Sequence, residues 1–133
     1  KIFEFSYQLY FNRGIVLDMS RRPEDAVISF EKAYELNKHD PVLIYHYTAV
    51  LLKVRQYAKA IKIYRTSLNN FPDDAELYYG LSKVYAHMGE DDLAVDLLKK
   101  VLESDTSYLA RMKRDPDFKI LYKHDGYKSL MVS

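Results

Sequence analysis

The side chains in this sequence best suited to chemistry are four histidines, His39, His46, His87 and His124, and an acidic run, Glu90, Asp91 and Asp92. Two imidazoles that share a zinc ion on one helix sit three or four residues apart, and no pair of these histidines does. Cysteine is absent, which excludes disulfides, thiolate metal sites and cysteine nucleophiles. The glycines, Gly14, Gly80, Gly89 and Gly126, are scattered, so no phosphate-cradling loop is present, and no nucleophile elbow occurs. The acidic run fits a helix start, where carboxylates cap free N–H groups and meet the positive end of the helix dipole. No catalytic residue, no metal site and no cofactor is expected, and the chain reads as a non-enzyme.

What the remaining residues do depends on the elements that carry them. The chain has 133 residues, enough for one compact domain, and 1–133 is read as one. Lysine plus arginine number 20 against 19 for aspartate plus glutamate, a balance that speaks against nucleic acid as the partner. No stretch approaches the roughly 20 apolar residues of a membrane span. The first residue is Lys1, not methionine, so a fragment or processed product of a longer protein is expected. The compartment stays open, with the cytoplasm as the default.

One period of 34 residues fits most of the chain. Rows 7–40, 41–74 and 75–108 align Ala26 with Ala60 and Ala94 without a gap. In the other columns small residues (Gly14, Thr48, Ser82) recur where helices approach, and large apolar ones (Leu17, Leu51, Tyr85; Phe30, Tyr64, Leu98) recur at helical spacing. Each row reads as helix, turn, helix. Asp40 and Pro41 form a helix start, since aspartate caps and proline at the first helical position gives up no needed donor. Gly89 is placed to end a helix in a left-handed conformation, with parallel junctions near Arg55 and at Pro23, Glu24 and Asp25. After the third row, Asp115 and Pro116 repeat the start signal, Phe118, Leu121 and Tyr122 make an apolar stripe, and His124, Asp125 and Gly126 read as a break before a last short helix.

These columns resemble the tetratricopeptide repeat family. Tyr10, Ile44 and Tyr78 take the bulky position 4, Gly14, Thr48 and Ser82 the small position 8, and the three alanines position 20. Phe30 and Tyr64 keep the aromatic at position 24. Arg13, Val101, Lys38 and Thr106 depart from the motif, and only Pro72 keeps its proline. The resemblance implies an all-α fold, a right-handed superhelix of three helix-turn-helix repeats closed by a C-terminal helical cap over 109–133. The cap covers the apolar face that a stacked array would otherwise leave bare.

In such a superhelix the first helix of each repeat lines a concave face. The outward positions place Phe11, Asn12 and Ile15 in the first row, Tyr45, His46, Ala49 and Lys53 in the second, and Tyr79, Lys83 and His87 in the third. Phe11, Tyr45 and Tyr79 share one column, and aromatics dominate binding energy at interfaces, though the same rings can serve helix packing. His46 and His87 lie about two helical turns apart along the axis, too far to share a metal. The basic residues Lys53, Arg55, Lys59, Lys62 and Arg65 fall mostly on the turn and second helix, as a solvated outer face.

The expected function is a protein-interaction module that takes a peptide or protein segment in this groove. A structural scaffold or self-association segment, with Ile2, Phe3 and Phe5 packing on another domain or copy, is the alternative; a regulatory part of a longer enzyme is another. Family members that clamp the C-terminal carboxylate of chaperones carry lysine, asparagine and arginine at positions held here by Phe11, Ile15, His46, Glu76 and Gly80. That clamp is not expected, because Glu76 would repel a carboxylate.

Overall fold

The computed structural model describes residues 2–132, with no side-chain description of Phe3. Helices α1 (Ile2–Met19), α2 (Pro23–Leu36), α3 (Pro41–Lys53), α4 (Tyr57–Asn70), α5 (Ala75–His87), α6 (Asp91–Ser104) and α7 (Tyr108–Arg114) follow in order. A 3-10 helix (Pro116–Leu121) and α8 (Asp125–Met131) complete the described chain, which is all-α. It divides into two compact units, one ending at Ile63 and one beginning at Tyr64, with the boundary inside α4.

Start and stop signals explain the element ends. Asp40 Oδ1 accepts from the Val42 N–H at 2.9 Å, Asp74 Oδ1 from Glu76 at 2.9 Å, and Asp115 Oδ1 from Asp117 at 3.0 Å. Each satisfies a donor that a helix start leaves free. No such signal precedes Tyr7, and α1 runs back to Ile2. The turns at Arg21, Arg55 and Gly89 occupy one column of the 34-residue period, and all three are left-handed, with φ of 61°, 63° and 81°. In each, the next residue's N–H reaches back to the helix: Arg22 to Leu17, Gln56 to Leu51 and Glu90 to Tyr85, all at 2.9 Å. This is the Schellman closure, and only the third copy uses the residue suited to it.

In the N-terminal unit α1 packs along α2, and α2 along α3. Ala26, Phe30, Ala33, Leu43, Val50 and Leu51 are fully buried. Gly14 lets α1 approach the Phe30 ring so closely that a Cβ there would lie 2.5 Å from it. In the C-terminal unit α5 and α6 pair, and the 3-10 helix packs on α5 while α8 packs on α6. Ala94, Leu98, Val101, Met112, Phe118, Leu121, Tyr127 and Tyr79 form one buried cluster. Phe118 and Leu121 lie inside as expected; Tyr122 lies outside, half-exposed and stacked on Tyr127. His124 is more than a break: its Nδ1 accepts from the N–H groups of Gly126 and Tyr127 at 3.0 and 3.3 Å, capping α8.

Candidate functional site

The inner helices of the N-terminal unit, α1 and α3, are locked at both ends. Tyr7 donates to Asp40 Oδ2 at 2.6 Å, joining α1 to the cap of α3, and burial plus this hydrogen bond push the phenol well above its ordinary pKa. At the other end Lys53 Nζ meets Asp18 at 2.6 Å. Between the locks runs a line of rings: Tyr7 to Phe11 at 6.0 Å, Phe11 to His46 at 6.0 Å, and His46 to Tyr45 at 5.2 Å, the last two edge-on. Edge-on contact is the favourable geometry for such rings. Phe30 supports the line from behind, stacked near-parallel on His46. His46 is thus packed among rings.

Tyr45 stands out from this floor with 58% of its surface exposed, next to exposed Val42. Asn12 is exposed and accepts from Gln8 Nε2 at 2.9 Å. Ile15 and Ala49 are half-buried. Of the residues expected to face a partner, ring contacts join Phe11, His46 and Tyr45, with Tyr45 the most accessible of the three, while Asn12 and Ile15 stand on α1 and Ala49 and Lys53 on α3.

The same columns on α5 have a different environment. Tyr79 is 1% exposed, covered by the chain's own C-terminal segment. Its ring lies 5.4 Å from Phe118 and 5.3 Å from Tyr108, and the Arg111 guanidinium sits 4.3 Å over its centre. Its hydroxyl donates to Asp115 Oδ2 at 2.8 Å. Lys83 Nζ reaches Asp115 at 3.0 Å and Asp117 at 3.5 Å, and His87 Nε2 lies 2.9 Å from Asp117. Burial works to raise the Asp115 carboxyl, but the hydrogen bonds from Lys83 and Tyr79 outweigh it and hold the group below its ordinary pKa. Burial and the bond to Asp115 push the Tyr79 phenol far up.

About one helical turn earlier, a second tie joins the tail to α5 with the charges reversed. Arg111 holds Glu76 through two bonds of 2.8 Å, and the Tyr108 hydroxyl adds a third at 2.8 Å. The guanidinium is the main reason why Glu76 is held below the ordinary carboxylate range. Burial and its bond to Glu76 push the Tyr108 phenol up to about 12. Sequence reasoning placed Asp115 at a helix start but missed its second oxygen and Asp117 as the partners of Tyr79, Lys83 and His87. The available signal was the match of two carboxylates in the cap to a tyrosine, a lysine and a histidine at positions 5, 9 and 13. Among the described residues no cluster of histidine, aspartate and glutamate is arranged to hold a metal ion, and no helix is long and apolar enough to cross a membrane.

Against known proteins, the tetratricopeptide repeat matches over residues 7–40 and 51–114. A Plasmodium falciparum protein named Hsp70-Hsp90 organising protein is 27% identical over 95 residues, 66% of this chain and 17% of its own length. Arabidopsis thaliana cell division cycle protein 27 homolog A is 28% identical over 82 residues, 62% of this chain and 11% of its own. The chain thus spans less than a fifth of either curated relative. Among solved structures, MamA from Desulfovibrio magneticus RS-1, solved from residue 41 to its end, superposes with a TM-score of 0.71 at 22% identity, covering 93% of this chain and 69% of the solved one. YrrB, described as a tetratricopeptide protein with an unusual peptide-binding site, gives 0.62 at 20% identity, covering 96% of this chain and 70% of YrrB. At these identities the likeness shows the fold alone.

Proposed function

Because this chain belongs to the tetratricopeptide repeat family, a family of protein-interaction modules, we propose that it binds an apolar segment of a partner protein on the inner face of α1 and α3. The observation that carries this reading is the contrast within one repeat column. Tyr79 is spent on the chain's own tail, whereas Tyr45 is open to solvent above a rigid aromatic floor. A half-exposed tyrosine with a fixed ring offers apolar area at low entropic cost, the usual makeup of an interface anchor.

The chemistry of the segment follows from the neighbouring columns. On α5 the tail's carboxylates find an ammonium at Lys83; the same column holds Ile15 on α1 and Ala49 on α3. Lys53 is already paired with Asp18. An acidic segment would lose its hydration here without an open cation to replace it, so the favoured occupant is apolar, with polar contacts to Asn12 or Gln8 at the rim. This also sets the chain apart from a chaperone-tail clamp, despite its similarity to an Hsp70-Hsp90 organising protein. Glu76 is already engaged by Arg111 and Tyr108, and the Tyr64 ring fills the space where a side chain larger than Gly80 would project.

The test is to pan a random 12-residue peptide library against the full chain and titrate the selected peptides calorimetrically. Apolar sequences whose affinity falls tenfold or more in Tyr45→Ala support the reading. Selected peptides that bind Tyr45→Ala and His46→Ala like wild type refute it.

A further inference from the structure

The chain carries its own example of a segment laid along the first helix of a repeat. On α5 the stripe of positions 2, 5, 9 and 13, which is Glu76, Tyr79, Lys83 and His87, is met by the tail in strict order. Arg111 pairs with Glu76, Asp115 bonds Tyr79 and Lys83, and Asp117 bonds Lys83 and His87. The tail therefore runs parallel to α5. Phe118 follows directly after Asp117 and returns its ring to Tyr79, edge-on at 5.4 Å and 86°. One tyrosine is thus held twice, by an acceptor at its hydroxyl and by a ring at its side.

On α3 the same stripe is Val42, Tyr45, Ala49 and Lys53. Its first two members are open, Val42 by 54% and Tyr45 by 58%. The tyrosine is kept, so both kinds of partner that Tyr79 finds suit Tyr45 as well. The other three positions have changed chemistry. Val42 offers no carboxylate to a guanidinium, Ala49 offers no ammonium to a carboxylate, and Lys53 is bound to Asp18. A charge set over Val42 or Ala49 would lose water and gain no counter-charge, which is costly.

We propose that a partner segment lies on α3 as the tail lies on α5, parallel to the helix, with an apolar side chain over Val42, an uncharged acceptor at the Tyr45 hydroxyl, an apolar side chain over Ala49 and an aromatic ring edge-on to Tyr45. The inference rests on the α3 face being the binding site, and it adds a direction and a sequence pattern to that reading. By the spacing of Arg111, Asp115, Asp117 and Phe118 the pattern is apolar at i, an acceptor such as asparagine at i+4, apolar at i+6 and aromatic at i+7. The acidic tail of a second copy does not fit it, since Asp115 and Asp117 would both face Ala49.

The tail itself supplies the probe. A peptide of residues 108–121 carrying Arg111→Leu, Asp115→Asn and Asp117→Val is compared with the unaltered peptide by fluorescence anisotropy against the full chain. The altered peptide is expected to bind at least tenfold tighter, and to lose that gain in Tyr45→Ala. Ala49→Lys gives α3 the cation of α5. With an unchanged thermal melt, it should raise the affinity of a peptide carrying Arg111→Leu alone by at least tenfold. A nitroxide on the N-terminus of the altered peptide should broaden the amides of residues 40–44 more than those of 50–54. Equal binding of the altered and unaltered peptides, or stronger broadening at 50–54, overturns this inference, while Tyr45-dependent binding of panned peptides would still stand. Panned peptides indifferent to Tyr45 overturn both.

Discussion

Tyr45 and Tyr79 occupy the same column of the repeat, and truncating each to alanine should give opposite results. Tyr79 is buried, its ring touches Phe118, Tyr108 and Arg111, and its hydroxyl is bonded to Asp115. Removing a buried aromatic side chain costs about 3 to 5 kcal/mol. Loss of the hydroxyl's bond to the Asp115 carboxylate, which keeps Lys83, adds about 1 kcal/mol. A loss of about 4 kcal/mol is a large share of the roughly 5 to 15 kcal/mol that holds a domain together. Tyr45 is 58% exposed, and the area that it shields, about two fifths of roughly 200 Å², is worth about 2 kcal/mol at about 25 cal/mol per Å². Urea unfolding followed by circular dichroism should therefore separate Tyr45→Ala from Tyr79→Ala by about 2 kcal/mol or more, with Tyr79→Phe losing about 1.5 kcal/mol. Equal losses for the two alanine variants would refute the assignment of Tyr79 to the tail and of Tyr45 to solvent. Reduced peptide binding by Tyr79→Ala would then report unfolding of its unit and not a lost contact.

Arg55→Gly should stabilise the protein by about 0.5 to 1 kcal/mol, read as a rise of a few degrees in Tm, because a left-handed turn costs a residue with a Cβ more than glycine. Gly14→Ala should cost about 1 to 3 kcal/mol in the same melt, since the new methyl meets the Phe30 ring. His124→Ala should cost about 1 kcal/mol through loss of the cap on α8, with the first amides of that helix exchanging faster with deuterium. Glu76 and Asp115 are both held below their ordinary pKa values. Their stabilisation is therefore fully present above the unfolded value of about 4 and lost as pH falls through the lower folded values. The urea midpoint should drop between pH 5 and pH 3, by less in Glu76→Gln.

Hairpin architecture was legible because three copies in step reinforce signals that are weak singly. The starts at Asp40 and Asp115 and the left-handed Gly89 follow from residue type alone. Nothing in the identity of Arg21 or Arg55 marks a left-handed turn; their conformation follows only from standing in the column of Gly89, where the 6→1 closure needs it. Site residues were less legible for a similar reason. Repeat position says which way Tyr45 and Tyr79 point, but whether a face stays open depends on where a non-repeating tail comes to rest. That is settled by contacts of Asp115, Asp117 and Arg111 more than twenty residues away in sequence. His124 shows the same limit, since its role as a cap depends on the amides that its ring reaches.

The most direct test of the binding proposal is amide chemical-shift mapping of the full chain titrated with a peptide selected in the panning experiment. Shifts concentrated in residues 8–19 and 42–53, and absent from the same spectrum of Tyr45→Ala, are the expected result. Shifts centred on residues 75–87 or on the outer side of the second helices would contradict it.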